Sequence, residues 1–294
     1  MDYETLAVIS ALSDNVTVRR LDNNKIVVIQ HPKASAAIAL HGGHVLSFKP
    51  VGGQETIWMS KQAIHDGKSA LRGGVPICWP WFGRIGSPAH GFARNSEWQI
   101  AQHRENDHGV IVSLSLSDSP ATRAIWPHQF ELRLNVEITE QLKISLEIHN
   151  TDDHAWNFSG ALHTYLNVAD IHQTKITGMG SHYLDSLQQG KLCLGGEELQ
   201  LTDTIDRVYT DPDAMIQVED KQHQRTLSVT NSGHNSAVLW NPWQQGAESM
   251  GDMNDDGYLS MICVESTVHA NHLDHGIELQ SGESHTLATT ISLS

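Results

Sequence analysis

"FELRLNVEI", residues 130–138, sets Phe130, Leu132, Leu134, Val136 and Ile138 at every second position, with polar residues between them. Strict alternation is the period of a strand with one face on a core and the other in water. "KISLEIHN" (143–150) repeats the pattern through Ile144, Leu146 and Ile148 after a short break near Glu140 and Gln141. Two such runs so close together predict an antiparallel hairpin. Upstream, "GVIVSLSLSD" (109–118) places Val110, Val112, Leu114 and Leu116 on one face. KIVVIQH (25–31), RTLSVTN (225–231), SAVLWN (236–241), SMICVE (260–265) and HTLATTISL (285–293) extend the series to the C-terminus. Helical pattern is scarce: one helix is expected over 3–12, and single turns over 60–66 and 246–253. Many short strands between turn signals predict an all-β, mostly antiparallel sandwich or barrel with few short helices. No linker, low-complexity tract or fixed-period repeat divides the 294 residues, so residues 1–294 are expected to form one domain, which requires an unusually large sandwich.

The charge balance excludes some partners. Nineteen Lys and Arg stand against 34 Asp and Glu, a formal net charge of −15. Such a surface repels a phosphate backbone or an anionic membrane, so neither nucleic acid nor membrane is expected as a partner. Any anionic ligand must be held by a local cluster of arginines. Cys78, Cys193 and Cys263 are widely spaced and odd in number, which fits a reducing compartment. The N-terminus carries acids where a secretory signal has basic residues, and no apolar run is long enough to span a bilayer. A cytoplasmic, monomeric protein is expected.

Three stretches carry most of the candidate chemistry. "RGGVPICWPWFGRIGSPAHGFAR" (72–94) fits neither regular period, yet interleaves Arg72, Arg84, Arg94 and His90 with Trp79, Trp81, Phe82 and Phe92. Guanidinium forks match phosphate or carboxylate oxygens, and flat rings suit the CH faces of a sugar. The plainer reading is a long surface loop whose aromatics plug one end of the sandwich. "GALHTYLNVAD" (160–170) turns Leu162, Thr164, Leu166 and Val168 to one face and His163 to the other, beside Ala161, Tyr165 and Asn167. His163 is then either a satisfied structural histidine or an acid/base group. "SMICVE" runs a buried-looking strand into Glu265, which is either a solvated strand end or a base in a desolvated cleft. Nineteen histidines raise the question of metal. HGGH (41–44) lacks completing ligands and HANHLDH (269–275) matches no ligand spacing, so no metal is expected. NDDG (254–257) does not continue into an EF-hand loop, and no nucleotide fingerprint or nucleophile elbow occurs, so no cofactor is expected.

RGGVPICWPWFG, HGFAR, WPHQFELR, LHTYLNV, DRVY, LWNPW and MICVE follow one another along the chain. In that order they resemble the hexose-6-phosphate mutarotases, a branch of the aldose 1-epimerase (galactose mutarotase) superfamily. The resemblance covers nearly the whole chain and is weakest at the N-terminus and around 185–200. It implies a single-domain β-supersandwich with the active site on a concave face. It also implies that His163 and Glu265 are the catalytic pair, that Arg72 and Arg94 bind substrate, that Asp206 of DRVY binds sugar, and that His90 lines the pocket. Relatives can carry glutamine before that histidine, where this chain has Ala89. The implied activity is interconversion of the α and β anomers of a hexose 6-phosphate, most simply glucose 6-phosphate. A base takes the C1 hydroxyl proton, an acid protonates O5, the ring opens and recloses on the other face, and no metal or cofactor is required. Glu265 as base and protonated His163 as acid are expected on opposite sides of the C1–O5 bond, spaced to admit a sugar ring. Activity is then expected to fall at low pH as Glu265 protonates and at high pH as His163 loses its proton. A mutarotase of free aldoses and a non-catalytic carbohydrate-binding sandwich remain the alternatives; the arginines favour a phosphosugar.

Overall fold

A computed structural model describes residues 1–294. Alternation in the quoted hairpin becomes burial: Phe130, Leu132, Leu134, Val136 and Ile138 are all buried, as are Ile144, Leu146 and Ile148. Removing each such side chain from water stabilises the fold by about 1.5–3 kcal/mol before chain entropy is counted. Strands Phe130–Ile138 and Leu142–Asn150 pair from Ile138↔Leu142 to Phe130↔Asn150. They lie within a nine-stranded sheet. Its centre is Leu142–Asn150 beside the C-terminal strand Ser284–Leu293, and its edges are Glu198–Leu199 and Gln99–Asn106.

An eight-stranded sheet faces it. Its order runs Lys191–Leu194, His182–Asp185, Ile205–Tyr209, Ser236–Asn241, Met261–Val268, Gly160–Leu162 and Ile77–Cys78, with Tyr165–Asn167 also on Met261–Val268. A five-stranded N-terminal meander, Ala7–Ala11 through His44–Pro50, and a two-stranded ribbon complete the architecture. Every pairing between strands is antiparallel. One cluster of 54 buried side chains draws on all three large sheets, so they share a core. The all-β, sandwich-type expectation holds.

Met261–Val268 is the strand that positions the site. Ile262, Val264 and Val268 join the shared core, and the Ser266 hydroxyl donates to the Ala288 carbonyl of the facing sheet. Met261 and Cys263 instead join a smaller cluster with Trp58 and Tyr165 on the opposite face. Glu265 shares their parity. Both faces are buried, which explains why this segment reads as a continuous apolar run rather than an alternation.

The helical expectations were largely overturned. Residues 3–12 form a one-turn 3-10 helix, Tyr3–Thr5, and an exposed edge strand, Ala7–Ala11, because pairing with Val16–Leu21 satisfies the backbone. No helix forms over 60–66, where turns and bends lie. The 246–253 turn is the end of a helix that begins earlier, Trp243–Glu248. The pattern missed Pro120–Ile125, a six-residue helix that Ser119 caps by accepting from the Thr122 N–H.

Candidate active site

Strand register brings together residues about a hundred positions apart. Ala161 opposes Thr267 and Tyr165 opposes Cys263, so His163 stands opposite Glu265. The ladder itself breaks between Leu162 and Tyr165: the His163 N–H donates to the Pro76 carbonyl and the Tyr165 N–H to that of Gly74. The RGGVP segment is thereby docked along the histidine's strand. On the other flank, Asp206 opposes Trp240 and Trp240 opposes Cys263. Cross-strand partners share a face, so Asp206, Trp240, Cys263 and Tyr165 form one row and Glu265 begins the next.

His163 Nδ1 lies 3.3 Å from Glu265 Oε1, with the glutamate 1% exposed and the histidine 12%. The contact is close but not aligned as a hydrogen bond, and both His163 Nδ1 and Glu265 Oε2 are buried without a hydrogen-bond partner. Glu265 lies in mid-strand, within a buried face, rather than at a solvated strand end. Space for a sugar ring between the two groups, expected from the sequence, is absent. Adjacent strands hold them side by side, so they must serve a substrate from one side. That arrangement is still competent, because the C1 hydroxyl and O5 are attached to the same carbon.

The electrostatics also differ from the expected ion pair. Burial, then the charge of Asp206, pushes the Glu265 carboxyl well above the usual range. Burial, then His90, Arg94 and Arg72, holds the His163 imidazole well below its usual range. Both directions favour the neutral forms, so the pair's one labile proton rests on the carboxyl. A protonated His163 facing an ionised Glu265 carries the same total charge and differs only in where that proton sits.

Around the pair, His163 stacks on Tyr165 (ring centroids 4.9 Å, interplanar angle 10°) and Tyr165 on Trp58 (5.8 Å, 17°). Trp240 meets His163 edge-on at 6.0 Å. Arg72 Nη1 donates to the Tyr165 hydroxyl at 3.1 Å and its Nε donates to Asp252 Oδ1 at 3.1 Å. Arg94 Nη2 donates to the Ala89 carbonyl at 2.9 Å, and its buried Nε has no partner. The departure at Ala89 therefore does not remove this contact, which the backbone supplies. His90 occupies the left-handed region (φ 64°), its N–H donating to the Gly83 carbonyl, with its ring 5.9 Å from that of His163. Burial first, then Arg94, Arg72 and Arg84, holds its imidazole down at about 4, so His90 is neutral at pH 7. The half-buried Asp206 carboxyl is raised, mainly by burial, against a hydrogen bond from Ser186.

The 72–94 segment divides its duties. Trp79, Trp81 and Phe92 are buried core anchors, so the tryptophans do not present faces to a sugar. Phe82 instead packs on His90 at 5.2 Å and near His163 at 6.5 Å. Arg84 is exposed. The structure thus gathers Arg72, His90, Arg94 and Asp206 about the His163–Glu265 contact. Sequence reading missed Asp252, which orients Arg72, and the ring packing that runs from Trp58 through Tyr165 to His163 with Trp240 at its edge. Tyr165, inside LHTYLNV, and Trp240, inside LWNPW, lay within quoted motifs, whereas Asp252 and Trp58 lay in none.

Two other features have the residue types of a metal site. Cys263 Sγ comes within metal-ligating distance of His163 and Glu265. Burial pushes its thiol well above the usual range, so it stays protonated and makes a poor ligand. His41 and His44 of HGGH are buried, each donating from Nε2 to a carbonyl, of Ser69 (2.8 Å) and Gly73 (2.7 Å). His44 thereby braces the turn after Arg72.

The family described as aldose 1-epimerase matches residues 25–292. A Salmonella typhimurium protein provisionally named a glucose-6-phosphate 1-epimerase is 41% identical over 269 residues, covering 90% of each chain. An Escherichia coli K12 protein with the same provisional name is 38% identical over 265 residues, covering 89% of each. Among solved structures, a provisionally assigned mutarotase from Salmonella typhimurium superposes with a TM-score of 0.92 at 38% identity, covering 98% of this chain and 97% of that one.

Proposed function

This chain belongs to the aldose 1-epimerase family, and on that premise we propose that it interconverts the α and β anomers of a hexose 6-phosphate, glucose 6-phosphate first among them. The observation that carries this reading is the buried His163–Glu265 contact with two arginines acting on it. A binding module has no use for a desolvated acid/base pair, whereas arginines give a dianion a reason to enter a protein of net charge −15. The wider reading, one domain over 1–294, is supported by the core shared among the large sheets.

The proton count explains how a neutral pair could work. Arg94 and Arg72 oppose protonation of His163 in the free enzyme. A bound phosphate dianion offsets those charges, and the proton can pass from Glu265 to His163. Glu265 then takes the C1 hydroxyl proton while His163 gives its proton to O5. The Nδ1 edge faces Glu265, so Nε2 is the nitrogen turned toward substrate. The ring opens to the aldehyde, C1 rotates, and the two groups exchange roles in closing it. Each proton transfer can contribute on the order of 10²–10⁴ in rate. Asp206 and His90 are assigned to the sugar hydroxyls. The steps need no metal or redox group, and activity is expected to survive chelation.

Exchange NMR on equilibrated glucose 6-phosphate, with free glucose as comparison, tests the proposal. Enzyme-dependent exchange between the C1 resonances of the phosphosugar, well above that of glucose, is expected. No exchange with either sugar would leave a binding protein, and equal exchange would leave an aldose mutarotase.

A further inference from the structure

A second cluster lies outside this site, at the end of the 130–150 hairpin. Phe130↔Asn150 is the last pair of the hairpin, so two residues further out His128 meets Asp152. The chain then turns back: the Asp152 N–H donates to Asn150 Oδ1, and Asn150 Nδ2 donates to the His154 carbonyl. Ser281 Oγ donates to the Asp152 carbonyl, clamping the loop from the C-terminal side. The Asp152 side chain is only 5% exposed. Backbone N–H groups of Gln129 and Asp153 orient its two oxygens, each at 3.0 Å.

Two imidazoles converge on this carboxylate through the same ring atom. His128 Nδ1 is 3.5 Å from Oδ2 and His154 Nδ1 is 3.2 Å from Oδ1. The three ligand-type atoms all lie within 4.8 Å of one another. His128 Nδ1 is sequestered from solvent without a hydrogen-bond partner, and Trp126 fixes its ring at 4.4 Å between centroids. Asp153, 95% exposed, already reaches His154 Nδ1 at 2.8 Å and is free to swing.

We infer that His128, Asp152 and His154 form a binding site for a divalent transition-metal ion of the Zn²⁺ type. Zinc–nitrogen and zinc–oxygen bonds of about 2.0–2.2 Å place neighbouring ligand atoms roughly 3.0–3.5 Å apart, and both nitrogen–oxygen separations, 3.5 and 3.2 Å, fall in that range. Two imidazoles and one carboxylate favour Zn²⁺, Co²⁺ or Ni²⁺ over Ca²⁺ or Mg²⁺, which prefer all-oxygen sites. Water or Asp153 would fill the remaining position. A simple hydrogen-bonded network explains His154, but it leaves the His128 nitrogen facing a carboxylate without a bond. The site lies just beyond the end of the Phe130–Asn150 hairpin of the nine-stranded sheet, whereas Glu265 lies within a strand of the eight-stranded one, so the ion is not assigned to the reaction.

The test is titration of the chelator-stripped, full-length protein with Zn²⁺ alone and then Co²⁺ alone, followed by calorimetry, the Co²⁺ visible spectrum and thermal melting. Saturable binding, a rise in Tm with Zn²⁺, and at least about tenfold weakening in His128→Gln and in His154→Gln are expected. His154 is half-exposed, so its variant should fold even if His128→Gln disturbs the tryptophans. His272→Gln and His275→Gln, on the other histidine-rich loop, should leave the affinity unchanged. Absence of binding below about millimolar Zn²⁺, binding unchanged in His154→Gln, or binding lost instead in Cys263→Ser would each overturn the assignment.

Discussion

Tyr165 joins the two halves of the candidate site: its ring lies parallel to that of His163, 4.9 Å away, and its hydroxyl accepts a hydrogen bond from Arg72. Tyr165→Phe keeps the stack and removes the acceptor. KM for glucose 6-phosphate should rise by about 1 kcal/mol, roughly fivefold, with kcat nearly unchanged. Steady-state anomerisation kinetics read the split. A fall in kcat alone would mean that the hydroxyl acts on the pair rather than on the arginine.

Glu265→Gln and His163→Asn preserve shape and remove proton transfer. Each should lower kcat by at least ~10² while leaving phosphosugar affinity largely intact. The double variant should be little worse than either single one, because the two residues work as a unit. Near-normal turnover in either single variant would end the assignment.

The pH profile follows from the reversed protonation. His163 is depressed, so the pair gains an inhibiting second proton only as pH falls through a value below the ordinary histidine range of ~6.5. Glu265 is raised, so the working proton is lost only as pH rises through a value above the ordinary carboxylate range of ~4.3. A broad plateau between these limbs is expected in kcat/KM. The acid limb belongs to His163 and the basic limb to Glu265, the opposite of the expectation from sequence. Asp206→Asn removes a charge that lifts Glu265, so the basic limb should move to lower pH.

The arginines should separate phosphosugar from free sugar. Arg94 keeps a buried, unpartnered Nε, whereas Arg72 already serves Tyr165 and Asp252. Arg94→Ala should raise KM for hexose 6-phosphate by about 1.5–3 kcal/mol, roughly 10- to 150-fold. Arg72→Ala should do less, and the exposed Arg84→Ala least. Activity on free glucose should change little in all three. Equal losses on both sugars would make the arginines structural.

Gly91 holds the irregular segment in place. At φ 70°, a Cβ there would lie 2.0 Å from the Trp79 carbonyl oxygen. Gly91→Ala should destabilise the protein by about 1–3 kcal/mol from backbone strain alone, with the clash adding to it. Urea unfolding measures the loss, and a raised KM should accompany it as His90 and Arg94 shift.

Much of the fold was legible in the chain because alternation is local. A face of Phe130, Leu132, Leu134, Val136 and Ile138 can be stable only as a strand on a core, whatever lies opposite. The ordered motifs likewise marked all six candidate site residues, from Arg72 to Glu265, before any geometry was known. The N-terminal strand Ala7–Ala11 was misread because an exposed edge has no buried face to impose a period. Asp252 went unseen because an ion pair spanning 180 positions leaves no local pattern. The proton's place on the His163–Glu265 pair was likewise set only by tertiary structure. Residue types alone suggest an ionised carboxylate beside a cationic imidazole. Their protonation depends on desolvation and on the fields of Arg72, Arg94 and Asp206, which exist only once strands distant in sequence have paired.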